Sequence, residues 1–348
     1  MKLNQTNTSR NVVGFDDPEI AITGIGVFSV LGTQTDLFFR CLLEKTIEPT
    51  ITQRMKIKAG QLTTVLGIRD QRFRISRYMD PVAKNTIVAL QQTISDAKIT
   101  TELIERDPYN YALVLGALHG PHTTREKFYD AFDKKDRRLV SGTLFSHCGY
   151  NMAAALPAIA YGIKGPNLTF SAKPNLGIDL LRRASQLLKS RRVHTVFVGF
   201  SELKRDETIE DTSLKELAYI LCLENKTRAI ERKVNQFIEF EEIAWNGSDE
   251  LSHLQSGDVY TTKKQPRFKT QPENMSNLLE TLQSAEKLNY QTNRKLIVDE
   301  TYLPLIKLGM LTNQLRNREQ ESFIFLPLLT KHRIPVITLR YSEFKDEV

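Results

Sequence analysis

The sequence predicts an α/β fold. Short β-branched runs alternate with segments of helical apolar spacing, and the runs are apolar on both sides, as strands covered on two faces are. The composition also suits a large buried core, with 41% hydrophobic and 26% charged residues over 348 positions.

Residues 1–18 are polar and aperiodic and read as a mobile lead-in. Ile20 to Ile25 is β-branched and closes on Gly24-Ile25-Gly26, and Thr35 to Glu44 has helical spacing, which predicts strand, turn, helix. Asp80 as N-cap and Pro81 at the first helical position start a helix to Ala97, with Val82, Ala83, Ile87, Leu90 and Ile94 on one face. Tyr111 to Leu115 is a buried-strand run, Asn151 to Tyr161 a small-residue helix, and Thr195 to Phe200 another strand. Between them Gly177 to Ser190 carries the stripe Ile178, Leu181, Ala184, Leu187 and Leu188, with Arg182, Arg183 and Lys189 facing away. In the second half, Leu217 to Leu223, Gln236 to Trp245 and Leu296 to Val298 read as strands and Glu273 to Leu288 as a helix. Ser322 to Leu329 fits a strand or a buried helix, and 246–271, with Lys263, Lys264, Arg267 and Lys269, reads as a solvated loop or a docking patch for an acidic partner.

Charge and motifs exclude several function classes. The net charge of +7 is spread along the chain, which predicts no nucleic-acid partner. No signal peptide or eighteen-residue apolar run is visible, which predicts no membrane segment. Cys41, Cys148 and Cys222 are far apart without CxxC spacing and point to a reducing, cytoplasmic setting. Ser29 stands where a dinucleotide fingerprint needs its third glycine, and no Walker loop, HExxH or GxSxG is present. His119 and His122 are the only neighbouring pair among six histidines, and they read as surface or core residues, so neither metal nor cofactor is expected. Cys148 follows His147 directly, and adjacent side chains seldom face each other as a catalytic dyad must.

The order of segments is more specific than any single motif. Ile20 to Leu31, reading Ile-Ala-Ile-Thr-Gly-Ile-Gly-Val-Phe-Ser-Val-Leu before Gly32, resembles the opening of a β-ketoacyl synthase. Met79-Asp80, Val114-Leu115-Gly116, Asn151-Met152-Ala153-Ala154, Gly162 to Leu168, Gly177-Ile178-Asp179 and Val198 to Glu202 follow in the family's order. Beyond Glu224 the likeness thins to Glu241 to Gly247 and Ile334-Pro335. The resemblance implies a thiolase-like five-layered αβαβα fold of two related halves, 19–224 and 225–348, the second shortened.

Three departures touch the family's chemistry. Its condensing members carry a cysteine at the start of the helix that begins here near Gly177, where a helix N-terminus favours thiolate. Matching the flanking residues puts Pro174 at that position. The two histidines that stabilise enolate and oxyanion fall by spacing at Glu300 and Met310. The resemblance therefore implies a catalytically inactive subunit similar to the chain-length factor, or ketosynthase β subunit, of type II polyketide synthases. Such a subunit pairs with an active ketosynthase, meets an acyl carrier protein bearing a phosphopantetheine-bound malonyl or poly-β-keto chain, and limits chain length by shaping an acyl tunnel. Segment matching puts tunnel and gate positions at His119, Thr124, Phe128 and Leu144, with Phe128 the most core-like, and makes the run Lys134, Lys135, Arg137, Arg138 a candidate carrier contact. The alternative is an independent thiolase-fold acyltransferase using another nucleophile such as Cys148.

Overall fold

The computed structural model describes residues 19–29, 34–36, 38–39, 79–134, 140–171, 176–203, 216–234, 236–243, 259–261, 305–306, 308–310, 312–313, 322–325 and 336–343. Strand β1 (Ile20–Ser29) leads to helix α1 (Pro81–Asp96), then α2 (Thr101–Arg106), β2 (Tyr111–Gly116), α3 (His122–Lys134), α4 (Gly142–Ser146) and α5 (Met152–Tyr161). There follow β3 (Asn167–Phe170), α6 (Leu176–Lys189), β4 (Thr195–Leu203), β5 (Glu216–Asn225), α7 (Lys226–Glu231), β6 (Gln236–Ile243), β7 (Val259–Thr261), β8 (Ser322–Phe325) and β9 (Val336–Glu343). Ser322–Phe325 is thus a strand, and the segments predicted at 273–288 and 296–298 lie outside the described residues.

The described strands form one sheet in the order β3-β2-β4-β5-β1-β6-β9-β8-β7. Strands β2, β3 and β4 are parallel, with Gly116 opposite both Phe170 and Phe200, so their carboxyl ends lie side by side. The remaining pairings are antiparallel.

Alternation along the strands sorts the core into two faces. Tyr111, Leu113, Leu115, Phe197, Ile220 and Cys222 pack with α1 and α5. Ala112, Val114, Val196, Val198, Tyr219 and Leu221 pack with α6, with Phe38 and Phe39, and with Leu305, Ile306, Leu308 and Met310 of the second half. Helix α1 starts as its sequence predicts: Asp80 accepts from the Val82 N–H at 3.0 Å, and Pro81 needs no donor of its own. Its burial is broader than one stripe, because Asn85, Thr86, Val88, Ala89 and Thr93 are covered too.

The opening strand departs from expectation. Gly24-Ile25-Gly26 does not turn; β1 continues through it to Ser29. The reason is close approach. A Cβ on Gly24 would lie 2.5 Å from the Thr93 carbonyl oxygen, and one on Gly26 would lie 2.0 Å from that of Ala89, so the glycines let α1 lie directly on the strand. The register with β5 shifts between Ile22 and Gly24.

Candidate functional site

The carboxyl ends of β2, β3 and β4 lie side by side, the end of a parallel sheet at which α/β folds place their ligands, and the chain leaves β2 there in a short turn, 117–121. Ala117 donates its N–H to the Phe170 carbonyl at 2.9 Å. Glu202, near the end of β4, turns its carboxylate into the β2 turn. It accepts from the backbone N–H groups of Leu118 and of His119, the latter at 3.3 Å, and lies 2.9 Å from His119 Nδ1. The side chain of Glu202 is 12% exposed and that of His119 43% exposed, so a partly exposed imidazole stands on a mostly covered carboxylate.

Helix α3 begins against a second carboxylate. Buried Asp80 caps α1 with one oxygen and with the other accepts the Thr124 N–H at 2.8 Å, which joins the starts of α1 and α3 and buries Thr124. Arg125 donates to the His119 carbonyl and lies 4.6 Å over the ring of Tyr150.

Phe128 is half-buried and not core as expected, because α3 is a surface helix whose one buried residue is Thr124. Its ring meets Phe145 at 5.4 Å and Phe132 at 6.1 Å. Phe145 and Tyr129 are 64% and 60% exposed, so an aromatic strip is open on this side. Leu144 is half-buried in α4, its N–H donating to the Ser141 hydroxyl at 3.3 Å. Strand β3 is an edge of the described sheet, and its residues are all partly exposed.

Cys148 sits beside this cluster without the geometry of a nucleophile. Its thiol donates to the Leu144 carbonyl at 3.3 Å, and burial pushes its pKa up. The neighbouring imidazole turns elsewhere, with His147 Nδ1 at 2.7 Å from the Thr143 carbonyl and 3.2 Å from the Ser146 hydroxyl. His119 and His122 also part company: His119 takes Glu202, and His122 takes Glu126 on its own helix at 3.4 Å. Among the described residues no cluster of three or more metal-ligating side chains occurs, and no helix is long and apolar enough to cross a membrane.

Of the three departures, Pro174 and Glu300 lie outside the described residues. Met310 is 4% exposed and belongs to the apolar cluster of α6, Phe38, Phe39, Phe200 and Tyr219. The residue before it is sterically bound to that cluster, since a Cβ on Gly309 would fall 1.5 Å from the Tyr219 hydroxyl. In the basic run, Lys134 pairs with Asp130 at 3.8 Å, both well exposed, and 135–138 lie outside the described residues.

Sequence reasoning missed Glu202, Arg125 and Tyr150 as members of the site. Glu202 carried a signal, a carboxylate closing an apolar strand; the other two carried none without the fold.

Three parallel strands within a mixed sheet, with helices packed on both faces, suit a thiolase-like α/β fold. The model of the family described as β-ketoacyl synthase, N-terminal domain, matches residues 17–209, more than half of the 348, and the chain belongs to that family. It is 24% identical over 191 residues to a 3-oxoacyl-[acyl-carrier-protein] synthase 2 of Coxiella burnetii, covering 53% of this chain and 45% of that one. With the chloroplastic 3-oxoacyl-[acyl-carrier-protein] synthase I of Arabidopsis thaliana it shares 26% over 166 residues, 44% of this chain and 35% of that one. The chain thus matches less than half the length of these curated relatives. In fold it is similar, at TM-score 0.62 and 12% identity over 93% of this chain and 99% of the other, to a structure of a type II polyketide synthase acyl-carrier protein in complex with its ketosynthase bound to the hexaketide. A β-ketoacyl synthase from Burkholderia phymatum is similar at TM-score 0.52 and 11% identity, over 94% of this chain and 100% of that one.

Proposed function

We propose that this chain is a ketosynthase-like subunit without condensing chemistry of its own, a chain-length factor that pairs with an active ketosynthase and walls part of an acyl tunnel in type II polyketide biosynthesis. The observation that carries the reading is Met310. Where family spacing calls for a histidine, this chain buries a thioether in an apolar cluster, and a thioether can neither donate to an oxyanion nor move a proton. Pro174, at the position matched to the nucleophile, and Glu300, at that of the other histidine, point the same way.

Partnership is supported by the surface beside the turn. An exposed aromatic strip of Tyr129 and Phe145 is apolar surface of the kind that an interface covers, and β3 is an edge strand of the described sheet. His119, Thr124, Phe128 and Leu144 cluster near the ends of the parallel strands and are the tunnel or gate residues of this reading. A packed wall there opposes extension because each methylene forced into it costs about 1–3 kcal/mol. An acidic acyl carrier protein delivering the growing chain fits the net charge of +7. The setting proposed is the cytoplasm.

The test is co-expression with an active ketosynthase, followed by native mass measurement and product analysis. A one-to-one complex that extends malonyl units, loses activity when the partner's nucleophile is removed, and makes longer products with Phe128→Ala is expected. A self-sufficient homodimer that forms its own acyl adduct would overturn the reading, and Cys148→Ala would show whether that thiol carries the adduct.

A further inference from the structure

The 117–121 turn is held more firmly than an ordinary loop. From beneath, the Glu202 carboxylate binds two consecutive backbone N–H groups and the His119 ring. Hydrogen bonds to an ionised acceptor are roughly twice as strong as neutral ones, and this acceptor is mostly buried. From the other side the ring of Tyr150 lies on Gly120, which has φ +58; a Cβ there would meet the ring at 2.6 Å. Arg125 then spans the two, over the Tyr150 ring and onto the His119 carbonyl. Past the turn, Asp80 holds the Thr124 N–H. The anchors on the turn come from Glu202 of β4, from Tyr150 just before α5, and from β3, whose Phe170 carbonyl holds the Ala117 N–H, so the turn cannot swing without breaking contacts to three separate segments.

We infer that Glu202 is a positioning residue that makes this turn a fixed wall, setting the place of His119 and thereby the reach allowed to an acyl chain. The inference rests on the chain-length reading for its consequence, but not for the clamp itself. Glu202 is given no contact with a reacting group; its role here runs through the turn it holds.

The clamp is tested by hydrogen exchange on the full chain. In the unmodified protein the Leu118 and His119 amides are expected to exchange slowly. Glu202→Ala, which removes all three contacts, is expected to speed them about tenfold or more, the loss of a buried acceptor being worth at least one decade, while Ile220 in β5 stays protected. Should Glu202→Ala fail to fold, Glu202→Gln decides: it keeps an acceptor without the charge and is expected to give a smaller acceleration at the same two amides. Unchanged exchange at Leu118 and His119 in a folded variant overturns the clamp. The consequence is read in a complex with an active ketosynthase, where Glu202→Ala broadens the product-length distribution and Glu202→Gln narrows it again in part. Faster exchange with an unmoved distribution overturns the wall. A wild-type chain that binds no ketosynthase removes the chain-length reading alone, and the exchange experiment still decides the clamp.

Discussion

Arg232 donates to the Glu224 carboxylate at 2.6 Å with both side chains almost sealed from solvent, at 6% and 1% exposure. Glu224, on β5, also accepts from Thr23 at 2.7 Å and from Thr195 at 3.1 Å, so one carboxylate ties β1, β4 and β5 together. Arg232, just past α7, reaches on to the carbonyls of Ala97 and Lys98 at the end of α1.

A buried charge that loses its partner is costly. Arg232→Met should destabilise the chain by about 3–5 kcal/mol, because Glu224 is left without its cation, as read from the midpoint of urea unfolding. Replacing Glu224 by Gln in the same background should recover part of that loss.

Gly26→Ala should cost about 3 kcal/mol, at the upper end of overpacking penalties, because the obstacle is backbone rather than a flexible side chain. Gly142→Ala is the control, since a Cβ there meets nothing within 4 Å; its unfolding midpoint should stay close to that of the parent.

Alkaline pH should weaken the fold in part through Tyr161. Burial holds its phenol far above the ordinary value of 10.0, so near and above pH 10.0 the unfolded chain releases a proton that the folded chain keeps. The sign is a stability fully present below pH 10.0 and lost by about 1.4 kcal/mol per pH unit above it. Tyr161→Phe should flatten that slope in denaturation midpoints taken from pH 8 to 11; an equal slope in both proteins would remove the assignment.

Cys148 should alkylate more slowly than a free thiol at pH 8, because burial raises its pKa and lowers its thiolate fraction. Cys222, fully buried with its pKa also pushed up, should be unreactive until the chain unfolds. Peptide mapping after timed iodoacetamide treatment separates the two; rapid labelling at Cys148 would revive it as a nucleophile.

Legibility in the sequence followed the range of the interactions. Asp80 and Pro81 declare the start of α1 because a cap is made within a few residues, and the stripe of α6 is readable because its apolar side chains repeat with the helix. The glycines of β1 were misread as a turn because what they accommodate, the Ala89 and Thr93 carbonyls, lies more than sixty residues away in the chain. Helix α3 had no stripe to read, since it buries only Thr124. His119 and Thr124 were singled out by family resemblance, but the contact that fixes the turn joins positions 83 residues apart, and no local pattern encodes it.

The place of β1 bears on how the protein is made. It is the first described strand, all ten of its residues are buried, and Ile20 pairs with Asn225 on one side and Phe240 on the other. At about 5–20 residues per second, a ribosome takes roughly 10–40 seconds to deliver β5 after β1 has emerged. During that interval an apolar strand waits for both of its neighbours, so the nascent chain should need a holding chaperone, and a product truncated before residue 216 should aggregate rather than persist as a half-molecule.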